Sequence, residues 1–185
     1  FVKQDSHYSK YYDALYILFH TGLRISEFAG LTLADIDMEN RKIIVDHQLQ
    51  YEQQRGYYIS DTKTASGKRE IPMSDDVCSY FRRLIANRPT PKVAQIIDGK
   101  YGFFYVNEKD MPLTGQDWAN RFRAIWTKFS KINGEQMPKV TPHICRHTFC
   151  SNMAKNGMNP KALQYIMGHA NIGITLDTYT HVGFQ

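Results

Sequence analysis

The sequence predicts a mostly α-helical fold with a small antiparallel β-sheet, an α+β domain. Three observations carry that expectation. Apolar side chains recur at helical spacing in several segments punctuated by Gly, Pro and Ser/Thr cap signals. Residues 42–72 instead show β-branched runs broken by turn formers. The length of 185 residues, with 42% hydrophobic and 13% aromatic side chains, fits one domain with its own core and excludes a disordered chain.

The first helix is expected over Tyr8–His20, with Tyr8, Tyr12, Leu15 and Phe19 on one stripe, Tyr11 and Leu18 widening it, and Gly22 ending it as a C-cap. A short second helix starts near Arg24 and carries Ile25, Phe28, Ala29 and Leu31. Thr32 to Asn40 reads as a connector. One strand runs from Lys42 to Leu49. A second is Tyr57–Ile59, after a turn at Arg55-Gly56. A third is Arg69–Pro72, after the turn-rich loop Thr64–Gly67. Ser74 caps a helix with Val77, Tyr80, Phe81, Leu84 and Ile85 on its apolar face. Pro89 and Pro91 break the chain, and Phe103–Val106 is a short buried strand or extended segment. Thr114 caps a long helix with Trp118, Phe122, Ile125, Trp126 and Phe129 on one side. Thr141-Pro142 starts the next, which runs to Asn156 before Gly157. Asn159-Pro160 starts another that ends at Gly168, and a last helix holds Leu176 and Tyr179. About eight helices are expected in all.

The formal net charge of +5 is unevenly spread. Residues 117–161 hold eight Lys and Arg against only Asp117 and Glu135. Such a block suits a polyanion partner or, more plainly, a solvated face. No apolar run reaches the ~18 residues of a membrane-spanning helix, and Phe1-Val2-Lys3-Gln4-Asp5 does not begin a signal peptide. The chain lacks an initiator Met and reads as a fragment whose upstream part is missing. Cys78, Cys145 and Cys150 cannot all pair and lack zinc spacing, so a reducing cytoplasm is expected.

Four local patterns could carry chemistry. His143 and Arg146 lie one turn apart in the first turns of a helix whose start is fixed by Pro142, where helix N–H groups favour an anion. Together they make a phosphate grip, or simply a basic helix end. His143 and His147 have the i, i+4 spacing of zinc proteases, but Ile144 stands where the general-base Glu belongs. Arg24 sits at a Gly-broken helix junction with Glu27 one turn on, which makes it either an oriented functional Arg or a plain surface ion pair. Gly168-His169 precedes Tyr179 by one short helix. Lys63 and Lys68 flank a loop from which an ammonium can reach over a ligand.

Taken in order, Arg24 within TGLRISE, His143-x-x-Arg146 within TPHICRHTF, Gly168-His169 within YIMGHA and Tyr179 within LDTYTHV resemble the tyrosine recombinases, or phage-type integrases. The Thr62-Lys63-Thr64 segment followed by Arg69-Glu70-Ile71-Pro72 looks like the family's catalytic-lysine hairpin. The resemblance spans about Tyr11 to Val182 and is strongest to conjugative-transposon integrases of Gram-positive bacteria. One departure is the gap of ten residues from His169 to Tyr179, where many members have nine.

The resemblance implies the tyrosine-recombinase catalytic-domain fold and a DNA strand transferase working through a 3′-phosphotyrosine, to integrate or excise a mobile element. Its implied catalytic set is Arg24, Lys63, His143, Arg146, His169 and the nucleophile Tyr179, with Lys63 preferred to Lys68. No cofactor and no metal are implied, since two arginines supply the charge that Mg²⁺ supplies in nucleases. The implied partner is double-stranded DNA, bound by a homotetramer on two duplexes, with an accessory excisionase and no membrane. The family's N-terminal core-binding and arm-binding domains are absent from residues 1–185, which read as catalytic domain throughout. A type IB topoisomerase uses a similar residue set, but the TGLRISE and LDTYTHV wording favours the integrase. A bare DNA-binding module would not need the ordered set, and a metallohydrolase would need carboxylates that residues 136–176 lack. Two conformational expectations follow. Phe184 buries itself, in its own domain or in a neighbour, and without DNA the Ala170–Gly173 loop leaves the segment carrying Tyr179 mobile, so that Tyr179 is displaced from Arg24 and Arg146 or poorly ordered.

Overall fold

A computed structural model describes residues 1–62, 65–134 and 138–182. After 3₁₀ turns at Val2–Gln4 and Ser9–Tyr11 come α1 (Tyr12–Thr21) and α2 (Ile25–Gly30). The β region follows as β1 (Ile36–Asp37), β2 (Lys42–Val45), β3 (His47–Glu52), β4 (Gly56–Asp61) and β5 (Arg69–Pro72). The rest is helical: α3 (Asp75–Asn87), α4 (Gly115–Asn133), α5 (Pro142–Lys155), α6 (Pro160–Met167) and α7 (Ile172–Val182). Among the described residues these are seven α-helices rather than about eight, the remaining turns being 3₁₀. No helix among them is long and apolar enough to cross a membrane.

Helix boundaries follow the cap chemistry. Ser74 accepts from the Val77 N–H, Thr114 from Asp117 and Thr141 from Ile144. Pro142 and Pro160 occupy first helical positions, where a missing N–H costs nothing. Gly22 and Gly168 end α1 and α6 in the left-handed region, at φ +67° and +62°. The space at Gly22 is also closed: a Cβ there would meet Phe149 Cδ1 at 2.6 Å and Met167 Sδ at 2.8 Å.

Three expectations are corrected. The first α-helix begins at Tyr12, not Tyr8, and buries Ala14, Ile17, Leu18 and Thr21, with Tyr11 buried in the turn just before it. Tyr12, Leu15 and Phe19 are only half-buried and line a groove of about 680 Å³ with Phe122, Trp126 and Phe129 of α4. The helix therefore has apolar residues around most of its girth, and the widest stripe is not the one facing the core. The strand expected over Lys42–Leu49 is two strands, split at Asp46 and belonging to different sheets: β1-β2-β5, and the β3-β4 hairpin. Alternating burial through Val45 gives way to His47, Gln48 and Leu49 all buried, where β3 runs against α2. His47 Nε2 to the Gly30 carbonyl (2.8 Å) pins that crossing. Finally, Ile85 of α3 is exposed. Phe103–Val106 takes the second of its two expected forms, an extended segment with Phe103 and Phe104 buried and isolated bridges to Thr32 and Pro112.

Trp118 of α4 sits at the core centre, meeting Tyr11, Phe28 and Tyr105 edge-on at 5.0–5.7 Å. Around it α1 packs on α3 and α5, while α6 lies against β5 and carries α7. The layout brings the turn between α1 and α2, the start of β5 and the end of α6 to one place.

Candidate functional site

That place is built on three consecutive carbonyls. The last carbonyls of a helix have no partner within it and carry its negative pole. At the end of α6 each meets an arginine from a different part of the chain. Arg69 Nε donates to Ile166 O at 2.6 Å, Arg146 Nη2 donates to Met167 O, and Arg24 Nη2 donates to Gly168 O at 2.9 Å. Arg146 Nη1 also donates to the Gly22 carbonyl, so the left-handed turn after α1 serves as one of its supports.

Arg24 stands at the N-cap of α2 in extended conformation, and Glu27 folds back to it. Glu27 Oε1 accepts from Arg24 Nη1 (2.8 Å) and Oε2 from the Arg24 backbone N–H (2.8 Å). The same oxygens accept from Arg69 Nη1 (3.0 Å) and Nη2 (2.9 Å). Glu27 is 2% exposed. Burial alone would raise its carboxyl pKa, but Arg69, then Arg24, hold it below the usual carboxylate value.

Three guanidinium groups against one carboxylate leave an excess of two positive charges around the end of α6. Its mark is visible on the neighbours. Burial, then the charge of Arg24, push Arg146 down to about 10. Burial, then Arg146, Arg24 and Arg69, push His169 down to about 4, so the ring is neutral near pH 7. His169 Nδ1 lies 2.9 Å from the hydroxyl of the fully buried Thr175.

Arg24, Arg146 and His169 are thus brought together. His143 is exposed on the first turn of α5, one turn from buried Arg146, with its ring centroid 6.3 Å from that of His147. His147 is hydrogen-bonded to Ser151 at 3.4 Å, and the pair gains no third ligand among the described residues. Tyr179 is not at the arginines. Its hydroxyl donates to the Met158 carbonyl in the turn between α5 and α6, while the donors of Arg24 and Arg146 go to Glu27, Gly22, Met167 and Gly168. Lys63 and Phe184 lie outside the described residues. Lys68 is exposed and pairs with Asp61 at 3.2 Å. The Ala170–Gly173 loop is shorter than expected, because α7 begins at Ile172.

Two members of the cluster escaped the motif reading. Thr175 carried no signal beyond its helical position. Arg69 did, since period-2 alternation in β5 puts it on the same face as Ile71. A second ionisable group, Asp35, Asp46 and His47, is already paired: Lys100 Nζ sits 3.4 Å from Asp35 and 3.5 Å from Asp46.

This architecture, with its arginines gathered beside a Gly-His turn, is that of a tyrosine recombinase catalytic domain. Residues 1–185 match the phage integrase family throughout, and the chain belongs to it. It is 50% identical to the transposase from transposon Tn916 of Enterococcus faecalis over all 185 residues, which cover 45% of that protein. It is 27% identical to the tyrosine recombinase XerC of Thermodesulfovibrio yellowstonii over 92% of this chain and 50% of that one. Among solved structures it resembles the Tn1549 transposon integrase in complex with circular intermediate DNA, with TM-score 0.92 and 50% identity over 100% of this chain and 59% of that one. The chain spans about half the length of the curated relatives it matches.

Proposed function

We propose that this chain is the catalytic domain of a site-specific DNA recombinase that cuts and rejoins strands to integrate or excise a mobile element. The observation that carries the reading is the convergence of Arg24, Arg146 and neutral His169 on one helix end with two uncompensated positive charges. A phosphodiester brings one negative charge, and the pentacoordinate transition state gathers more. Arg24 and Arg146 clamp its non-bridging oxygens, for which planar forks suit better than ammonium groups. We assign the Thr175 hydroxyl as the donor to Nδ1, which puts the His169 proton on Nε2, where it can be offered to a phosphate oxygen.

Tyr179 Oη attacks phosphorus, the P–O5′ bond breaks, and a 3′-phosphotyrosine forms. His143 accepts the tyrosine proton, and Lys63 protonates the departing 5′-oxygen. Rejoining is the reverse attack by a 5′-hydroxyl, so no ATP is consumed. The chain then works in the cytoplasm on double-stranded DNA, as part of a homotetramer on two duplexes assisted by an excisionase. The hydroxyl of Tyr179 first leaves the Met158 carbonyl, which fits a nucleophile held back until DNA and a partner position it.

Tyr179→Phe tests the assignment. It removes one hydroxyl and keeps the ring, so DNA binding should persist while the covalent adduct on a nicked suicide duplex disappears. An SDS-resistant protein–DNA band from this variant would place the nucleophile elsewhere.

A further inference from the structure

Arg69 is the buried arginine for which the recombination chemistry has no use. It opens β5 at the end of the connection from β4, and strand alternation turns it inward while Glu70 and Pro72 face out. Its side chain has 0% exposure. A guanidinium is costly there unless its donors are used, and they are. Nε holds Ile166 O, Nη1 reaches the Gly67 carbonyl at 3.0 Å, and the Nη1/Nη2 fork straddles the Glu27 carboxylate.

Glu27 is the hinge of the arrangement. One face of its carboxylate takes Arg69, and the other takes the side chain and backbone of Arg24. Arg24 is 39% exposed and has no other carboxylate partner among the described residues. Where Arg69 holds Glu27, the Arg24 fork must follow. Through Ile166 the same guanidinium also fixes the backbone three residues before His169. The fit is close: a Cβ on Gly168 would lie 3.0 Å from Arg69 Nη1.

We propose that Arg69 is a positioning residue of the phosphate site: through Glu27 it sets the direction of Arg24, and through Ile166 it sets the turn that carries His169. It touches no DNA. The proposal rests on the recombinase reading above. Lysine could not replace it, because a single ammonium cannot bond Ile166 O and both carboxylate oxygens from one planar fork.

The test uses the full-length protein and single-turnover cleavage at saturating suicide duplex. Arg69→Lys should cleave on the order of 100-fold more slowly, the scale of an ångström misplacement of a reacting group, with DNA affinity little changed. A scissile methylphosphonate replaces one charged non-bridging oxygen by methyl, so a misdirected Arg24 should matter less there, and the deficit should shrink to roughly tenfold or below. Wild-type cleavage by R69K, or an equal deficit on both substrates, overturns the proposal and leaves Arg69 a buttress of the fold. If R69K does not fold, Glu27→Asp carries the same comparison, since it keeps the charges and withdraws the carboxylate by one methylene. A shrinking deficit then supports the proposal and an equal one overturns it. No adduct from the unaltered protein on either substrate would defeat the recombinase reading itself, and this assignment with it.

Discussion

Burial acts on Arg146 and His169 in the same direction and with opposite consequence. Both lose affinity for their proton, but Arg146, at about 10, stays charged near neutrality, whereas His169, at about 4, does not. One site thus holds a permanent cation and a neutral donor side by side. The histidine links the site to stability. When folded it takes its proton near pH 4, and when unfolded near 6.5, so between these values the unfolded chain binds more protons. Stability should therefore be full above about pH 6.5 and fall as the pH drops toward 4. We expect His169→Gln to flatten that fall by about 1–2 kcal/mol, a figure reduced for the solvent the ring still meets. Urea midpoints at pH 7 and 4.5 check it, and parallel pH profiles for both proteins would refute it. At this scale Arg24, Arg146 and His169 were legible because their motifs fix both residue type and order. Arg69 was not. An inward-facing arginine in a four-residue strand looks like a solvated one until the carbonyl and carboxylate that receive it, from α6 and α2, are in place.

The element that stands apart is α7. Among its described side chains Thr175 and Thr178 are buried, the Tyr179 ring packs half-buried against the core, and Ile174 and Leu176 are exposed. A helix docked by two threonines and a single ring gains little from removing apolar surface from water. Its ties are the Thr175–His169 bond, the Thr178–Cys150 contact at 3.6 Å and the Tyr179–Met158 bond. Hydrogen bonds of this kind contribute only about 1 kcal/mol each. Amides of α7 should then exchange with solvent deuterium well before those of α4 and α5, and Tyr179→Phe should quicken them further. Hydrogen-exchange mass spectrometry on the DNA-free protein reads this directly. Protection in α7 equal to that in α5 would mean the helix carrying Tyr179 is rigidly seated. Helices were the most legible elements, since Ser74, Thr114, Thr141-Pro142 and Asn159-Pro160 mark their starts by local chemistry. The break at Asp46 was hidden because no Gly or Pro stands between Lys42 and Glu52 to mark it. What separates them is a long-range bond from His47 to Gly30, which no local pattern encodes.

Across the whole molecule, segments far apart in the chain come together at a single helix end. Gly22, Arg24 and Glu27 arrive from the first quarter, Gly67 and Arg69 from the end of the β4–β5 connection and the start of β5, Arg146 from α5, and residues 166–169 from α6 and the turn after it. The class of fold was readable from helical and strand periodicity, but this convergence was not, because it depends on how α6 lies against β5. It also leaves the resting domain carrying the self-repulsion of its two uncompensated charges. A fold of this kind is incomplete as a thermodynamic object, and any small dianion that completes it should act as a folding ligand. Sulfate at about ten times its dissociation constant would add roughly 1.4 kcal/mol by mass action, or about 3–6 °C in melting temperature for a chain of this length. Calorimetry in sulfate against chloride at matched ionic strength measures the gain. Arg146→Gln should keep only the part that any protein draws from sulfate's exclusion from its surface, and an undiminished gain in that variant would place the anion elsewhere. What such an anion supplies would then be, in part, the last component of the domain's own stability.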